Sequence, residues 1–277
     1  MRRYGLAFAL LALAACEMQG GDPVTRTEIG SRKPAEGKPS PSPSTSQESA
    51  CRAVDFEGVA LTHCVADPSR HSISTVLADP SGKLYRSLSA YAAALGDQAG
   101  PVAFAVNAGM FDQGGKPIGY YVERGERLKE LNRADGEGNF HMKPNGVFFG
   151  TGGKWEVRAA DDFYANVGDR PQFGTQSGPM LVIEGKLHPE FQDDGPSRAI
   201  RNGVGVDARG KAHFVISGAP VSFGQLARFF RDELKTPNAL YLDGSISALW
   251  DPASGRLDNG PPIGPLIVVT KRATATP

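Results

Sequence analysis

The sequence is poor in the residues that dedicated metal and redox sites use, with three cysteines and five histidines among 277 residues. The histidines form no HExxH pair and the cysteines no CxxC pair. A serine hydrolase elbow of the form GxSxG is missing too, and the segment Gln176-Ser177-Gly178-Pro179 places a proline where that elbow needs a helix. We therefore predict no metal ligand set and no α/β-hydrolase mechanism.

An excess of charge is also missing. Lys plus Arg and Asp plus Glu each number 30, so the formal net charge is zero. A balanced surface creates no long-range field that would gather nucleic acid or an anionic membrane. We therefore predict no nucleic-acid partner, and any anion-binding site must be local.

Residues 1–15 have the layout of a signal peptide for export. Arg2 and Arg3 precede an apolar run over 6–13, which is too short to cross a bilayer as a mature helix. The junction Leu13-Ala14-Ala15-Cys16 resembles the bacterial lipobox and predicts lipidation at Cys16. A plain secretory signal with an incidental cysteine is the alternative. We expect an exported lipoprotein that touches the membrane through its lipid anchor only and faces the periplasm or the cell exterior.

The segment 16–50 is rich in Pro, Ser, Gly, Lys and Glu and has few aliphatic residues. It cannot bury enough apolar surface to offset the entropy of ordering, so we predict a disordered tether.

Two cysteines, Cys51 and Cys64, follow the tether and flank a predicted strand and turn over 54–62. Disulfides persist in exported proteins, so we predict a bridge that stabilises the fold by about 3 kcal/mol. A reactive or metal-binding pair is the alternative, although His63 is the one histidine nearby.

Hydrophobic periodicity over residues 51–272 predicts one domain of the α+β class. Its sheet is expected to be mixed and largely antiparallel, with hairpins and a C-terminal strand-helix-strand unit. Ser222 and Gln225 predict a capping box at the start of that helix, and Pro237 predicts its end. The remaining predicted elements are a helix over 84–95 and strands over 102–106, 146–149, 154–158, 180–183, 186–188, 203–207, 212–217 and 239–243.

Five polar segments follow apolar strands and have the composition of a site that binds sugar or phosphate. They are NAGMF (107–111), KPNGVFF (143–149), TQSGPM (175–180), SRAIRNGVGVD (197–207) and LDGSIS (242–247). Each segment alone is typical of a turn. Their number and their positions at strand ends indicate a shared site.

In this order the segments resemble the phosphodiester glycosidase family, the domain type of the lysosomal enzyme that uncovers mannose 6-phosphate by removing N-acetylglucosamine. The closest likeness is to the exported bacterial branch, and it extends from Cys51 to Val269. The last motif departs from the usual Asp-Gly-Gly-Gly-Ser, because Asp243-Gly244-Ser245 is followed by Ile246.

The resemblance implies a hydrolase that cleaves a sugar C1 to phosphate linkage, with a sugar-phosphate glycan or glycoconjugate as its partner. A non-catalytic lipoprotein of the same fold, which binds an envelope glycan or a protein partner, is the alternative. A phosphodiesterase that cuts the phosphorus-oxygen bond is disfavoured, because the sequence lacks the usual metal ligands.

Three carboxylates are candidates for nucleophile or general base. Asp243 is the first choice, because it ends an apolar strand where a carboxylate without a role is costly. Asp207 is the second, with a role in a hairpin turn as the alternative, and Glu123 is the third. The sequence requires no cofactor, and it leaves open whether a divalent cation lies beside Asp207 and Asp243.

Arg198 and Arg201 are the candidate phosphate ligands, because a guanidinium group matches phosphate oxygens with two parallel hydrogen bonds. Three residues apart in one strand they would face opposite ways, so we expect one to point inward and favour Arg198. Phe111 and Tyr120 are candidate rings that stack on a sugar. The other substrate-binding candidates are Asn107, Asn145, Gln176, Ser177, Gly244 and Ser245.

Overall fold

The computed structural model describes residues 48–243 and 246–273. The predicted signal peptide, Cys16 and all of the predicted tether up to residue 47 lie outside the described residues. Gly244 and Ser245 of the last motif lie outside them too. Within the described part of the chain, no helix is both long enough and apolar enough to cross a membrane.

Three antiparallel sheets and three short α-helices form the described domain, which confirms the predicted α+β class. The helices are α1 (Leu88–Leu95), α2 (Ala160–Asn166) and α3 (Phe223–Arg228). The strands are β1 (Cys51–Phe56), β2 (Val59–Ala66), β3 (His71–Val76), β4 (Val102–Asn107), β5 (Tyr121–Glu123), β6 (Glu126–Lys129), β7 (Gly146–Thr151), β8 (Lys154–Ala159), β9 (Phe173–Ser177), β10 (Met180–Ile183), β11 (Lys186–Leu187), β12 (Asn202–Val206), β13 (Ala212–Ser217), β14 (Asn238–Tyr241), β15 (Leu249–Asp251), β16 (Arg256–Leu257) and β17 (Leu266–Lys271).

The sheets have seven, five and five strands. The seven-stranded sheet has the order β1-β2-β13-β12-β14-β10-β11. The two five-stranded sheets have the orders β16-β15-β4-β17-β3 and β6-β5-β9-β7-β8. Strands from all three sheets bury large side chains in one core, where Phe214 of the first sheet lies 5.3 Å from Phe104 of the second and 5.7 Å from Phe148 of the third, between ring centroids. Each such ring contributes about 2 kcal/mol by its burial.

The strand-helix-strand unit consists of β13, α3 and β14, and β12 lies between its two strands in the sheet. Ser222 caps α3 by accepting a hydrogen bond from the Gln225 amide at 3.0 Å. The predicted capping box is only half made, because the buried Gln225 Oε1 has no hydrogen-bond partner among the described residues. After Arg228 the helix continues as a π-helical turn, Phe229–Glu233. The helical segment ends before Pro237.

Helix α1 begins later than the predicted residue 84. Leu84 forms an isolated bridge with Ala78, and Arg86 has a left-handed backbone with φ 58°. Ser87 then caps the helix, and Gly96 ends it as predicted. The apolar residues therefore have a helical spacing over a longer segment than the one whose backbone is helical.

The first hairpin carries the predicted disulfide. Cys51 in β1 lies directly opposite Cys64 in β2, and the two sulfur atoms are bonded. The prediction of a bridge is confirmed.

Candidate functional site

Three strand ends converge on Asp243. Asn107 is the last residue of β4, Asn202 is the first of β12, and β14 ends at Tyr241, two residues before Asp243. Because β12 and β14 are antiparallel, with Gly203 paired to Tyr241, the start of one lies beside the end of the other. Three of the five motifs therefore meet where β12 begins and β14 ends in the seven-stranded sheet.

Asn107 connects these strand ends through its side-chain amide. Its Nδ2 donates to the Asp243 carbonyl at 3.3 Å, and its Oδ1 accepts from Asn202 Nδ2 and from the Ala248 amide, both at 2.9 Å. The Asp243 amide donates to the Ala108 carbonyl at 3.3 Å. Asn107 is buried and bonded to protein groups, so it orients the backbone around Asp243. The prediction that it hydrogen-bonds a sugar hydroxyl has no support in this arrangement.

Arg201 is buried beside the same edge, with 2 % of its surface exposed. Its guanidinium donates to the Tyr241 hydroxyl at 2.8 Å, to the Val221 carbonyl at 3.0 Å and to the Ser197 carbonyl and hydroxyl at 2.9 Å. It also lies 3.6 Å from the ring centroid of Phe223. Burial raises the pKa of Tyr241, Arg201 opposes that rise, and the nearby charge of Asp243 adds to it.

Arg198 does not point inward, contrary to our preference. It lies in the loop before β12, is largely exposed and forms an ion pair with Asp194. The expectation that Arg198 and Arg201 alternate along a strand was wrong, because β12 begins at Asn202. The loop turns the Arg201 side chain into the protein and leaves Arg198 at the surface.

Asp207 lies at the opposite end of β12 from Asn202. Its carboxylate accepts hydrogen bonds from the Arg209 and Lys211 amides at 2.9 Å and from the Arg209 side chain at 3.1 and 3.2 Å. Burial opposes its ionisation, but these hydrogen bonds and the contact with His213 lower the pKa of Asp207. The hairpin-turn alternative therefore describes its position.

The two aspartates cannot act as a pair. Gly203 and Asp207 are four residues apart along β12, which corresponds to about 14 Å in an antiparallel strand. Since Asp243 lies beyond the Gly203 end, a single cation cannot contact both carboxylates. Within the described residues, no three His, Cys, Asp or Glu side chains come together as a possible metal site.

Glu123 belongs to a different environment. It ends β5, and its Oε2 accepts hydrogen bonds from the Tyr121 hydroxyl at 3.0 Å and from the Leu77 amide at 3.1 Å. Burial raises its pKa. Its hydrogen bonds join β5 to the chain after β3 and do not reach the groups around Asp243.

The TQSGPM motif holds two neighbouring loops. Gln176 Oε1 accepts from the Tyr120 and Asn132 amides at 2.8 and 2.9 Å, and its Nε2 donates to the Asn132 carbonyl at 2.6 Å. Thr175 Oγ1 accepts from the Gly109 amide at 3.0 Å and so attaches the NAGMF loop. A Cβ atom at residue 109 would lie 2.1 Å from the Gln176 carbonyl oxygen, which explains the glycine. The motif thus positions the loop that follows Asn107.

The remaining predicted residues have mixed environments. Asn145 is buried and donates to the Phe140 carbonyl at 2.9 Å. Ser177 is buried too, and its hydroxyl has no partner among the described residues. Tyr120 packs against Phe163 in the core, with ring centroids 4.9 Å apart, so it is not placed to stack on a sugar.

A pocket of about 360 Å³ opens beside the Asn107 network. Ser247 lines it and donates to the Ile200 carbonyl at 3.1 Å and to Asn202 Oδ1 at 3.4 Å. Ser87 and Ile263 form part of the opposite wall. Sequence reasoning did not single out Asn202, Ser247 or Ser87. Asn202 and Ser247 lie inside two of the five motifs, so the sequence could have indicated them. Ser87 lies outside the motifs, and its sequence context indicates only a helix cap.

Comparison with known proteins agrees with the order of these motifs. A family model described as phosphodiester glycosidase matches residues 100–269 and spans all five motifs. The chain belongs to the phosphodiester glycosidase family. Asn107, Asn202 and Asp243 all lie within the matched range.

Two proteins similar to this chain come from a bacterium and from an animal. An uncharacterized protein of Escherichia coli K12, YigE, is 35% identical over 184 residues, which is 66% of this chain and 71% of that protein. The catalytic domain of zebrafish N-acetylglucosamine-1-phosphodiester alpha-N-acetylglucosaminidase, auto-inhibited by its pro-peptide, superposes with a TM-score of 0.54 at 16% identity. That superposition covers 80% of this chain and 82% of the zebrafish chain, and it shows the shared fold.

Proposed function

We propose that this member of the phosphodiester glycosidase family is a hydrolase that breaks the bond between a sugar C1 and a phosphate oxygen. The convergence of β4, β12 and β14 on Asp243 carries the proposal. The backbone of Asp243, a buried carboxylate with 8 % of its surface exposed, accepts a hydrogen bond from the Asn107 side chain and donates one to the Ala108 carbonyl, both at the end of β4. A pocket wide enough for a sugar lies next to these strand ends.

The chemistry of the leaving group matches this arrangement. When the C1–O bond breaks, the electron pair leaves with the phosphate oxygen, which is a weak base and needs little help from a general acid. Positive charge develops at C1 at the same time, and a carboxylate beside it stabilises that charge. Water then supplies the new C1–O bond.

Asp243 is the proposed nucleophile or general base. As a base it takes the proton of the attacking water, and as a nucleophile it forms a glycosyl ester that water hydrolyses. Tyr241, the last residue of β14, and Arg201, in the loop before β12, support it, because Arg201 donates a hydrogen bond that holds Tyr241 in place. Glu123 and Asp207 keep supporting positions in other parts of the fold in this proposal.

The proposed substrates are sugar 1-phosphodiesters of envelope glycans or exported glycoconjugates. We also propose that the protein works at a membrane surface, held there by acyl chains on Cys16. A Cys16→Ser protein would then appear in the soluble exported fraction with the parent's turnover. Recovery of the variant in the membrane fraction would contradict lipidation.

Turnover of defined substrates tests the proposed activity. The purified protein is incubated with methyl-phosphodiesters of N-acetylglucosamine 1-phosphate and of related sugar 1-phosphates, and free sugar is measured. The p-nitrophenyl glycoside of the same sugar is the control without phosphate, and we expect it to react at least tenfold more slowly. A protein that binds the phosphodiester and releases no sugar would be the non-catalytic binding module instead.

A further inference from the structure

Arg86, just before helix α1, has a left-handed backbone conformation, which is strained for an arginine. Its φ is 58°, in the left-handed region that glycine, asparagine and aspartate tolerate and that a long side chain rarely adopts. Such strain persists where the surrounding structure enforces it, and it is found most often at ligand clamps and active sites. The Ile263 amide, which donates to the Arg86 carbonyl at 2.9 Å, is one such constraint.

The guanidinium of Arg86 lies against the NAGMF loop. It is 5.3 Å from the ring centroid of Phe111, and it fills the space above Gly115. A Cβ atom at residue 115 would be 1.5 Å from Arg86 Nη1, so only glycine leaves room for the side chain there. Phe111 is itself fixed, because a Cβ atom at Gly264 would lie 2.4 Å from its ring.

The same guanidinium has an unused hydrogen-bond donor. Arg86 Nη1 is buried and has no hydrogen-bond partner among the described residues. A buried donor on a charged group without an acceptor is costly, and in native structures a water, an ion or a ligand commonly supplies the acceptor. An anion is the acceptor that a guanidinium prefers.

The position of Arg86 connects it to the proposed site. Its side chain contacts the loop that follows Asn107, and the Asp243 amide donates to the Ala108 carbonyl of that loop. Its chain neighbour Ser87 lines the pocket together with Ser247. Arg86 therefore contacts the loop after β4 and is joined to the wall of the pocket through Ser87.

We propose that Arg86 binds the phosphate group of the substrate, an inference that rests on the proposed function. The two arginines of the motifs are committed elsewhere, because Arg201 donates to three neighbouring residues and Arg198 forms a surface ion pair. Phe111 supports the guanidinium from one face, which keeps its remaining N–H groups in a plane that matches phosphate oxygens. The ligand class is a phosphate mono- or diester attached to a sugar.

Three variants separate this role from a structural one. Arg86→Asn removes the guanidinium and keeps a side chain that tolerates a left-handed backbone, so the fold is expected to survive. Gly115→Ala leaves Arg86 in the chain but places a methyl group where Nη1 lies. Arg198→Asn is the matched control, because it removes the exposed arginine of the SRAIRNGVGVD motif.

Calorimetric titration with inorganic phosphate and with N-acetylglucosamine 1-phosphate measures the binding step without turnover. We expect Arg86→Asn to weaken both affinities at least tenfold, Gly115→Ala to weaken them in the same direction, and Arg198→Asn to change them less than twofold. Thermal melts of the variants check that each is folded. With the phosphodiester substrate, Arg86→Asn should raise KM and lower kcat together, since phosphate is bound in both substrate and product.

The outcomes distinguish this inference from the proposed function. If the parent binds phosphate through Arg86 but cleaves no phosphodiester, Arg86 remains an anion ligand and the proposed reaction is wrong. If the parent cleaves the phosphodiester and a folded Arg86→Asn protein keeps its KM and its phosphate affinity, the role of Arg86 is wrong. Absence of phosphate binding by the parent would also overturn it.

Discussion

In the seven-stranded sheet, β12 and β14 are antiparallel and each is followed by an aspartate, so Asp207 and Asp243 lie at opposite ends of the strands. Each has an arginine nearby, yet the two aspartates are bound in different ways. Asp207 is held by the backbone and side chain of residues two to four positions later, which is the pattern of a tight turn. Asp243 is held through Asn107, which lies 136 positions away, and Asn107 in turn bonds Asn202.

The difference shows what identifies a site in this fold. A carboxylate whose hydrogen bonds are all local completes a hairpin turn. Its oxygen atoms accept hydrogen bonds within the turn and do not act on a substrate. A carboxylate whose backbone is held by a residue of another sheet, which is itself bonded to a third strand, is oriented by the whole fold, which is the preorganisation that catalysis requires. The Asp207 end therefore contributes stability, and the Asp243 end carries the proposed chemistry.

The largest expected effect is the loss of activity on changing Asp243. Asp243→Asn keeps the shape of the side chain and removes its charge, so kcat should fall by about 10²-fold or more with a smaller change in KM. Asp207→Asn should keep kcat within about twofold and lower Tm, because the turn loses charge-assisted hydrogen bonds. Steady-state kinetics on a sugar 1-phosphodiester, beside thermal melts, measure both. Equal kcat values for parent and Asp243→Asn would end the distinction between the two ends.

The second effect concerns the arginine at the Asp243 end. Arg201→Met leaves the Tyr241 hydroxyl and the Val221 carbonyl without their buried donor, so the free energy of unfolding should fall by about 3 kcal/mol or more. Arg198→Met removes an exposed ion pair and should change it by less than about 0.5 kcal/mol. Urea unfolding of both variants provides the values. A similar cost for the two substitutions would contradict the assignment of Arg201 as the inward residue.

The third effect concerns the first hairpin, in which Cys51 of β1 lies opposite Cys64 of β2, and β2 pairs with β13. Replacing Cys51 and Cys64 with alanine removes a bridge that closes a loop of 13 residues and should cost about 3 kcal/mol on the chain-entropy model. Turnover at a temperature well below Tm should be unchanged, because the hydrogen bonds that hold the Asp243 backbone come from the end of β4 and not from this hairpin. A loss of kcat in the folded double variant would show that the hairpin and the Asp243 end are coupled.

The smallest effect is a pH dependence of stability at the Asp207 end. His63 Nε2 lies 2.9 Å from His213 Nδ1, and burial, together with the charges of His213 and Arg52, lowers the pKa of His63 to about 4. Burial also lowers the pKa of His213, although Asp207 opposes that shift. In the unfolded chain His63 binds its proton near pH 6.5, so protons favour the unfolded state as the pH falls from about 6.5 to 4.

The free energy of unfolding should therefore fall by about 2 kcal/mol from His63 between pH 7 and pH 4.5. Denaturant unfolding at a series of pH values measures this slope. His63→Gln keeps a hydrogen-bonding side chain that does not titrate, and its slope should be flatter than the parent's. A parent whose stability is constant over this range would contradict the burial of an uncharged His63.

Much of the fold was predictable because its signals are local. The strand over 212–217 and the caps at Ser222 and Gly96 follow from periodicity and from residue types within a few positions. The start of α1 was not predictable, because the left-handed conformation of Arg86 leaves no mark in the apolar spacing. The strand β11 falls within the predicted strand over 186–188, whereas the two-residue strand β16 was not predicted, because it is too short to show an alternating pattern.

The site was predictable only in part. Asp243 was chosen as a candidate because it follows a predicted buried strand, and its role in catalysis stays a prediction. Of the two arginines we favoured Arg198 as the inward one, but the loop before β12 buries Arg201 and leaves Arg198 at the surface, and the path of that loop has no sequence pattern of its own. The network of Asn107 and Asn202 could not be read from sequence, since the two side chains lie 95 positions apart and meet only when two sheets pack.

Hydrolysis in ¹⁸O-labelled water tests the central claim most directly. The purified protein cleaves a sugar 1-phosphodiester in labelled water, and mass spectrometry locates the label in the first products. If water adds at C1 beside Asp243, the label enters the sugar, and the phosphate monoester keeps its original oxygens. Label in the phosphate product and none in the sugar would mean that the phosphorus-oxygen bond is cut, which would contradict the account.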